Sequence, residues 1–169
     1  MDRPELLGTK LFDLTGKIAL VTGAGRGVGR TVALALAAAG ADMVACARTT
    51  PEIEALCTEV RSLGRRAEAI VTDVTSEASC EHLISTTVNR LGGLDILVNN
   101  AGINIRKPVL ELSLAEFQRV LETNLTGAFL CVRAAGRHMV AQRSGKVINI
   151  SSIMDQRAHL NRKLRFRVC

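Results

Sequence analysis

Four glycines at alternate positions near the N-terminus could form a turn that binds phosphate groups. The segment, residues 23–29, reads GAGRGVG. Glycine lets the main chain turn tightly and lie close to a ligand, because it has no Cβ atom. A helix that begins beside such a turn offers free N–H groups and a partial positive charge to a pyrophosphate. The spacing is G-x-x-x-G-x-G, which differs from the commoner G-x-G-x-x-G because position 28 is valine.

The segments that flank the glycines favour a ligand site over a glycine-rich turn without a ligand. Residues 17–22 (KIALVT) read as a short buried strand, and residues 30–39 (RTVALALAAA) have strong helix propensity. A strand, a glycine turn and a helix in that order form the context that a dinucleotide site requires. We therefore predict that this turn binds a dinucleotide cofactor.

Apolar, β-branched runs alternate with helix-period segments along the rest of the chain. Further strands are predicted over 42–47, 67–71, 96–99 and 146–150, and further helices over 51–63, 76–91 and 113–142, the last bent near 124–127. Ser76 is a plausible N-cap, and Ser113 with Glu116 fits a capping box. Strict alternation indicates parallel strands. We predict an α/β fold, a Rossmann-type doubly wound parallel sheet with five strands.

Composition argues against several other classes of protein. The chain has 169 residues, of which 47% are apolar and 22% charged, as expected for one globular domain. No signal-peptide h-region and no membrane span are evident, which favours a cytoplasmic protein. The five cysteines are scattered without a C-x-x-C pair, so free thiols are expected and no metal site.

The net charge of +6 is concentrated at the C-terminal end. Residues 155–169 contain five basic residues and one acidic residue, a net of +4, so the other 154 residues carry only +2. Proteins that bind single-stranded nucleic acid stack the bases on aromatic side chains, and Phe166 is the only aromatic residue among these basic residues. We predict a dinucleotide-binding domain over 1–154 and a solvated basic tail over 155–169, with no nucleic-acid partner.

The sequence resembles the short-chain dehydrogenase/reductase family at five places in the family's order. Residues 22–29 look like its T-G-x-x-x-G-x-G, and Asp73-Val74 is similar to the site of its acidic residue that contacts the adenine ring. Residues 99–102 look like its N-N-A-G, Asn124 matches its active-site Asn, and residues 150–152 match the end of its fifth strand. The stretches 11–17 and 103–108 look like gluconate 5-dehydrogenases and also suit 3-oxoacyl-carrier-protein reductases.

The resemblance implies an oxidoreductase that interconverts a hydroxyl and a keto group on a small polar substrate with a nicotinamide cofactor. The residues expected to bind the cofactor are Gly23, Gly25, Arg26, Gly27, Val28, Gly29, Arg48, Asp73, Val74, Asn100, Ala101 and Gly102. The expected catalytic residues are Ser152, which would orient the substrate carbonyl, and Asn124, which would complete a water path.

The end of the second strand favours NADP(H) over NAD(H). Residues 46–49 read CART and contain no carboxylate that could bind the adenosine ribose, and Glu52 falls inside the next predicted helix. Arg48 and Arg26 could instead bind a 2′-phosphate, for which guanidinium geometry is well suited. NAD(H) remains the alternative, with both arginines merely solvated. Asp73 could likewise be a turn or cap residue.

The catalytic set is incomplete in this sequence. Family members use a Tyr with a Lys four residues later, and this chain contains no Tyr. The C-terminal part of the family fold is therefore expected to be missing, leaving the fifth strand as an edge and the chain inactive on its own. A non-catalytic nucleotide-binding module and a nonfunctional truncated product are the alternatives.

The long helix carries the candidate contacts to another chain. Leu125, Phe129 and Val132 are expected either to pack on this chain's own sheet or to form a homo-oligomer or a pair with a full-length homologue.

Overall fold

The computed structural model describes residues 12–151, which form one parallel sheet with helices on both faces. The described strands are β1 (Ile18–Thr22), β2 (Asp42–Ala47), β3 (Ala67–Val71), β4 (Ile96–Asn99) and β5 (Lys146–Asn149). The described α-helices are α1 (Gly27–Ala38), α2 (Thr50–Ser62), α3 (Glu77–Leu91), α4 (Leu114–Leu121) and α5 (Gly127–Ala141). Ser152 and the tail predicted over 155–169 lie outside the described residues.

The strand order β3-β2-β1-β4-β5 confirms the predicted doubly wound sheet. The chain adds β2 and β3 on one side of β1, and then β4 and β5 on the other side. Leu20 in β1 pairs with Val44 in β2 and with Leu97 in β4, so β1 lies at the centre. In sheets of this kind, ligands bind beyond the carboxyl ends of the strands where the order reverses, here between β1 and β4.

Side chains from alternate strand positions form a core on each face of the sheet. Leu20 and Leu97 point to the face covered by α3 and α5, where they pack with Leu83 and Leu130. Ala19, Val21 and Val98 point to the face covered by α1 and α2. Burial on both faces explains why the first four residues of β1 are all apolar instead of alternating with polar residues.

The helix boundaries match the predicted ones within a few residues, and the largest difference lies at the glycine turn. Helix α1 begins at Gly27 and not at Arg30, so the last glycines of the turn already belong to its first turn. Ser76 caps α3 by accepting a hydrogen bond from the Ser79 N–H, as predicted. The capping box of α4 is also confirmed, because the Ser113 and Glu116 side chains each accept a bond from the other residue's backbone N–H.

The predicted bend in the long helix is a π-helical segment, Glu122–Thr126, that joins α4 to α5. One extra residue in a helical turn re-aims the side chains that follow, and such bulges are frequent at functional sites. A short 3₁₀ helix, Val109–Glu111, was not predicted. Its three residues give too short a pattern for hydrophobic periodicity to reveal.

Strand β5 lies at the edge of the described sheet and pairs only with β4. All of its residues are exposed, which agrees with the predicted edge.

The prediction that the long-helix residues pack on the chain's own sheet is wrong for two of the three, because Leu125 and Phe129 are 65% and 56% exposed. Val132 does pack against the core. Both exposed side chains line a cavity instead, and the Arg133 guanidinium lies 5.3 Å from the centre of the Phe129 ring.

Among residues 12–151, no helix has the length and apolar character needed to cross a membrane.

Replacing Leu97 by alanine should destabilise the protein strongly, because Leu97 is fully buried at the centre of the sheet. The cavity left behind should lower the free energy of unfolding by about 2–5 kcal/mol. Urea denaturation followed by circular dichroism measures this change. The matched control is Leu110→Ala, since Leu110 is 97% exposed and its loss should cost less than about 0.5 kcal/mol. Equal stability of the two variants would contradict the assigned core.

Candidate cofactor-binding site

A cleft of about 340 Å³ opens at the carboxyl ends of the central strands. Every residue predicted to contact the cofactor lines this cleft, although these residues come from four separate parts of the chain. The cleft also contains residues that the sequence did not single out, namely Cys46, Ala47, Thr49, Glu52, Thr72, Ile103 and Thr123. A dinucleotide is long and thin, so an open cleft that follows several strand ends is a suitable shape for it.

The glycine turn is shaped both for packing and for ligand approach. A Cβ at Gly23, whose φ is +64°, would lie 2.9 Å from the Cα of Ala101. A Cβ at Gly29 would lie 2.5 Å from the carbonyl oxygen of Gly23 and would also collide with the Asn100 amide. At Gly27, by contrast, no atom lies within 4 Å of where a Cβ would be, so a ligand can reach the main chain. The turn and the N-terminus of α1 therefore form a cradle that suits a pyrophosphate.

Thr22 connects the glycine turn to the loop that follows β4. Its hydroxyl oxygen accepts hydrogen bonds from the backbone N–H groups of Asn100, at 3.0 Å, and Ala101, at 2.9 Å. In turn, the Asn100 side-chain amide donates hydrogen bonds to the carbonyl oxygens of Thr22 and Gly23, at 2.9 and 3.2 Å. The sequence pointed to Thr22 only as the first letter of the glycine motif. The structure shows that it joins two walls of the cleft.

Asp73 lines the cleft and also stabilises the turn that follows β3. Its carboxylate accepts hydrogen bonds from the Thr75 N–H and hydroxyl groups, at 3.0 and 2.8 Å. These bonds, with a smaller effect from the Arg48 charge, lower the pKa of Asp73 from its usual value. The carboxylate is therefore charged at neutral pH. The structure confirms Asp73 as a turn residue, and its contact with an adenine ring stays a prediction.

The charged end of the cleft contains Arg26, Arg48 and Glu52. Both arginines are exposed, and neither forms an ion pair with another residue in the described part of the chain. Residues 46–49 contain no carboxylate and Glu52 lies in the next helix, as predicted, but Glu52 also lines the cleft from the first turn of α2. Sequence position suggested a helix residue, but the first turn of α2 brings this side chain against Gly25.

A second cavity, of about 670 Å³, adjoins the first and contains Asn124. The Asn124 side chain accepts a hydrogen bond from the Ile103 N–H at 2.8 Å and donates one to the Ile103 carbonyl oxygen at 3.0 Å. Both functions of the amide are thus used to hold the loop after β4. The π-helical segment is the element that places Asn124 opposite this loop.

Two asparagines at the ends of neighbouring strands line the floor of the second cavity. The Asn99 amide donates to the side-chain oxygen of Asn149 at 2.9 Å. Asn99 is only 6% exposed, and its own side-chain oxygen has no hydrogen-bond partner in the structure described over 12–151. Buried acceptors without a partner are rare, so this oxygen suits a donor in the cavity. Ser151 lines the same cavity.

The sequence profile of the short chain dehydrogenase family matches residues 17–161. The chain belongs to the short-chain dehydrogenase family. This confirms the resemblance drawn from the glycine turn and the four later motifs. The family match includes the first seven residues of the predicted tail, and the boundary at residue 154 stays a prediction.

Named short-chain dehydrogenase relatives are similar over most of this chain. A 3-oxoacyl-[acyl-carrier-protein] reductase of Synechocystis sp. is 41% identical over 141 residues, which are 83% of this chain and 57% of the relative. A gluconate 5-dehydrogenase of Gluconobacter oxydans is 36% identical over 148 residues, which are 88% of this chain and 58% of the relative. The chain thus spans little more than half the length of these relatives.

The fold is also that of solved short-chain dehydrogenases. The crystal structure of a short-chain type dehydrogenase/reductase from Mycobacterium marinum superposes with a TM-score of 0.88 at 38% identity. The match covers 94% of this chain and 65% of that structure. Within the described residues, no group of three His, Cys, Asp or Glu side chains is placed to hold a metal ion. The described cysteines, Cys46, Cys57, Cys80 and Cys131, are free and buried.

Replacing Thr22 by valine should destabilise the cleft of this short-chain dehydrogenase. Thr22 is 1% exposed, so valine would leave two backbone N–H groups without their acceptor in a buried place. We expect a loss of about 1–3 kcal/mol in the free energy of unfolding, measured by urea denaturation. The control Thr22→Ser keeps the hydroxyl and should lose clearly less. A valine variant as stable as the serine variant would show that the junction has no energetic role.

Proposed function

We propose that this chain is the cofactor-binding part of an oxidoreductase that interconverts a hydroxyl and a keto group on a small polar substrate. The observation that carries the proposal is the cleft at the strand ends, where the predicted cofactor residues meet. The two curated relatives are named for reducing a 3-oxoacyl group and for dehydrogenating gluconate, which supports hydroxyl–keto interconversion, and gluconate is a small polar substrate.

The residues of the cleft suit the parts of a nicotinamide dinucleotide. The glycine turn and the N-terminus of α1 would hold the pyrophosphate through backbone N–H groups. Asp73 and Val74 would lie beside the adenine, and residues 100–102 beside the inner half of the cofactor. The bound nicotinamide supplies hydride chemistry, while this chain positions and orients it.

We propose NADP(H) as the preferred cofactor, with NAD(H) as the alternative. Arg26 and Arg48 both line the cleft, and no ion pair within residues 12–151 neutralises them. Guanidinium groups bind phosphate oxygens with two parallel hydrogen bonds and do not lose their charge. A 2′-phosphate at this end would therefore find two cations already exposed to it.

Turnover by the 169-residue chain alone is not part of the proposal. Its sequence contains no Tyr, so it cannot supply a phenolic general acid, whose loss typically costs about 10²–10⁴ in rate. Asn124 would act by holding the loop at Ile103, and Ser152 by orienting a substrate carbonyl. This composition also favours the second candidate, a nucleotide-binding module without catalysis.

Fluorescence titration of the purified chain with NADPH and NADH tests the proposal. We expect saturable binding of both dinucleotides, tighter for NADPH, and no measurable oxidation of NADPH with small ketones. Arg48→Gln should weaken NADPH binding about tenfold and NADH binding much less, because one cation facing the phosphate is lost. Binding of neither dinucleotide would overturn the proposal and favour a nonfunctional product. NADPH turnover at a rate typical of enzymes, above about 1 s⁻¹, would contradict the expectation that the chain alone is inactive.

We also propose that the chain associates with a second copy or a full-length homologue through Leu125 and Phe129. Both side chains are more than half exposed on neighbouring turns of one helical stretch, which supports an interface there. The double substitution Leu125→Ser and Phe129→Ser should shift the chain toward monomer in sedimentation velocity, while Val140→Ser, also exposed, should not. An unchanged distribution of monomer and oligomer would contradict association through this surface.

A reducing, cytoplasmic location stays a proposal that rests on the scattered cysteines.

A further inference from the structure

Gly25 is the glycine of the turn that the G-x-x-x-G-x-G pattern does not require, and the structure gives it a specific neighbour. A Cβ at position 25 would lie 2.5 Å from Oε2 of Glu52 and 2.9 Å from its Cβ. The carboxylate could move aside, whereas the Cβ of Glu52 is held by the backbone of α2 and is too close for a side chain at position 25. The absence of a side chain at Gly25 therefore leaves the space that the Glu52 side chain occupies, against the phosphate turn.

Glu52 brings a carboxylate to the same end of the cleft as the two exposed arginines. It lines the cleft together with Arg26 and Arg48. No ion pair or side-chain hydrogen bond within residues 12–151 involves the Glu52 carboxylate. The other carboxylate in the cleft, Asp73, accepts two hydrogen bonds from Thr75. Glu52 is thus a negative group that is free to interact with a ligand.

A free carboxylate affects the two nicotinamide dinucleotides in opposite ways. It accepts hydrogen bonds from ribose hydroxyl groups, which NAD(H) presents at this end. It repels the 2′-phosphate of NADP(H), which is close to dianionic at neutral pH. The arginines have the reverse preference. Which dinucleotide binds more tightly therefore depends on the balance between two cations and one carboxylate at this end of the cleft.

We infer that Glu52 is a specificity-determining residue, which weakens the binding of NADP(H) and so allows NAD(H) to compete for the site. The inference rests on the proposed function, because it assumes that the cleft binds a nicotinamide dinucleotide. It assigns Gly25 a role as well, since only a residue without a side chain leaves room for the carboxylate there.

Glu52→Gln tests the inference, because glutamine keeps the size and removes the charge. We expect NADPH to bind about three- to tenfold more tightly than to the unmodified chain, and NADH to bind equally or more weakly, from removal of one unit charge near a surface site. The matched control is Glu54→Gln, an exposed acid on the same helix that does not line the cleft. Dissociation constants come from fluorescence titration, and circular dichroism confirms the fold.

Salt dependence provides a readout that a purely structural role of Glu52 would not change. The gain in NADPH affinity from Glu52→Gln should shrink as the salt concentration rises from about 0.01 M to 1 M, because ions screen the repulsion. If the unmodified chain binds neither dinucleotide, the proposed function and this inference both fail. If it binds them and Glu52→Gln changes the NADPH-to-NADH ratio no more than Glu54→Gln does, this inference alone is overturned.

Discussion

The hydroxyl of Thr22 accepts hydrogen bonds from two consecutive N–H groups that lie 78 and 79 residues further along the chain. This contact occurs where the strand order reverses, between β1 and the neighbouring β4. At that point the segments that follow β1 and β4 leave the sheet and diverge, so their backbone groups need partners outside the strand ladder. Thr22 and Asn100 supply these partners to each other. This junction joins the glycine turn to the loop after β4.

The same junction explains why the turn needs glycine at two positions for packing as well as for ligand approach. Gly23 and Gly29 lie against Asn100 and Ala101 so closely that a Cβ would displace them. Gly27 has free space above it, where the main chain is open to a ligand. One short turn therefore combines positions shaped by packing with a position shaped for a ligand. Gly25 adds a third requirement, because its missing side chain makes room for Glu52.

The second cavity depends on a different device, the π-helical segment between α4 and α5. A regular helix would keep the spacing of its side chains constant, and the extra residue changes the direction in which Asn124 points. Asn124 then reaches the main chain of Ile103, 21 residues earlier in the sequence, and fixes the loop that separates the two cavities. Leu125, in the same segment, is exposed and lines the second cavity too. The segment thus contributes one polar and one apolar side chain to that cavity.

Much of the fold could be predicted from the sequence, because it depends on local patterns. Alternating apolar runs and helical segments identified the parallel sheet, and three of the strands have the predicted bounds. Ser76, Ser113 and Glu116 cap their helices as predicted, since capping involves neighbours in the chain. The residues predicted for the cleft also meet in space, because motifs that follow parallel strands come out at the same edge of the sheet.

The amino-acid sequence by itself determined the order of strands and helices, the glycine turn and the family. Tertiary structure alone decided which side chains meet. Glu52 was assigned to a helix and set aside, yet its carboxylate lies beside Gly25 and faces the same cleft as Arg48. The role of Asn124 in a water path stays a prediction, whereas the structure alone revealed that its amide binds the main chain of Ile103. Local patterns depend on propensity and periodicity, whereas contacts between distant residues depend on how the elements pack, which no short pattern records.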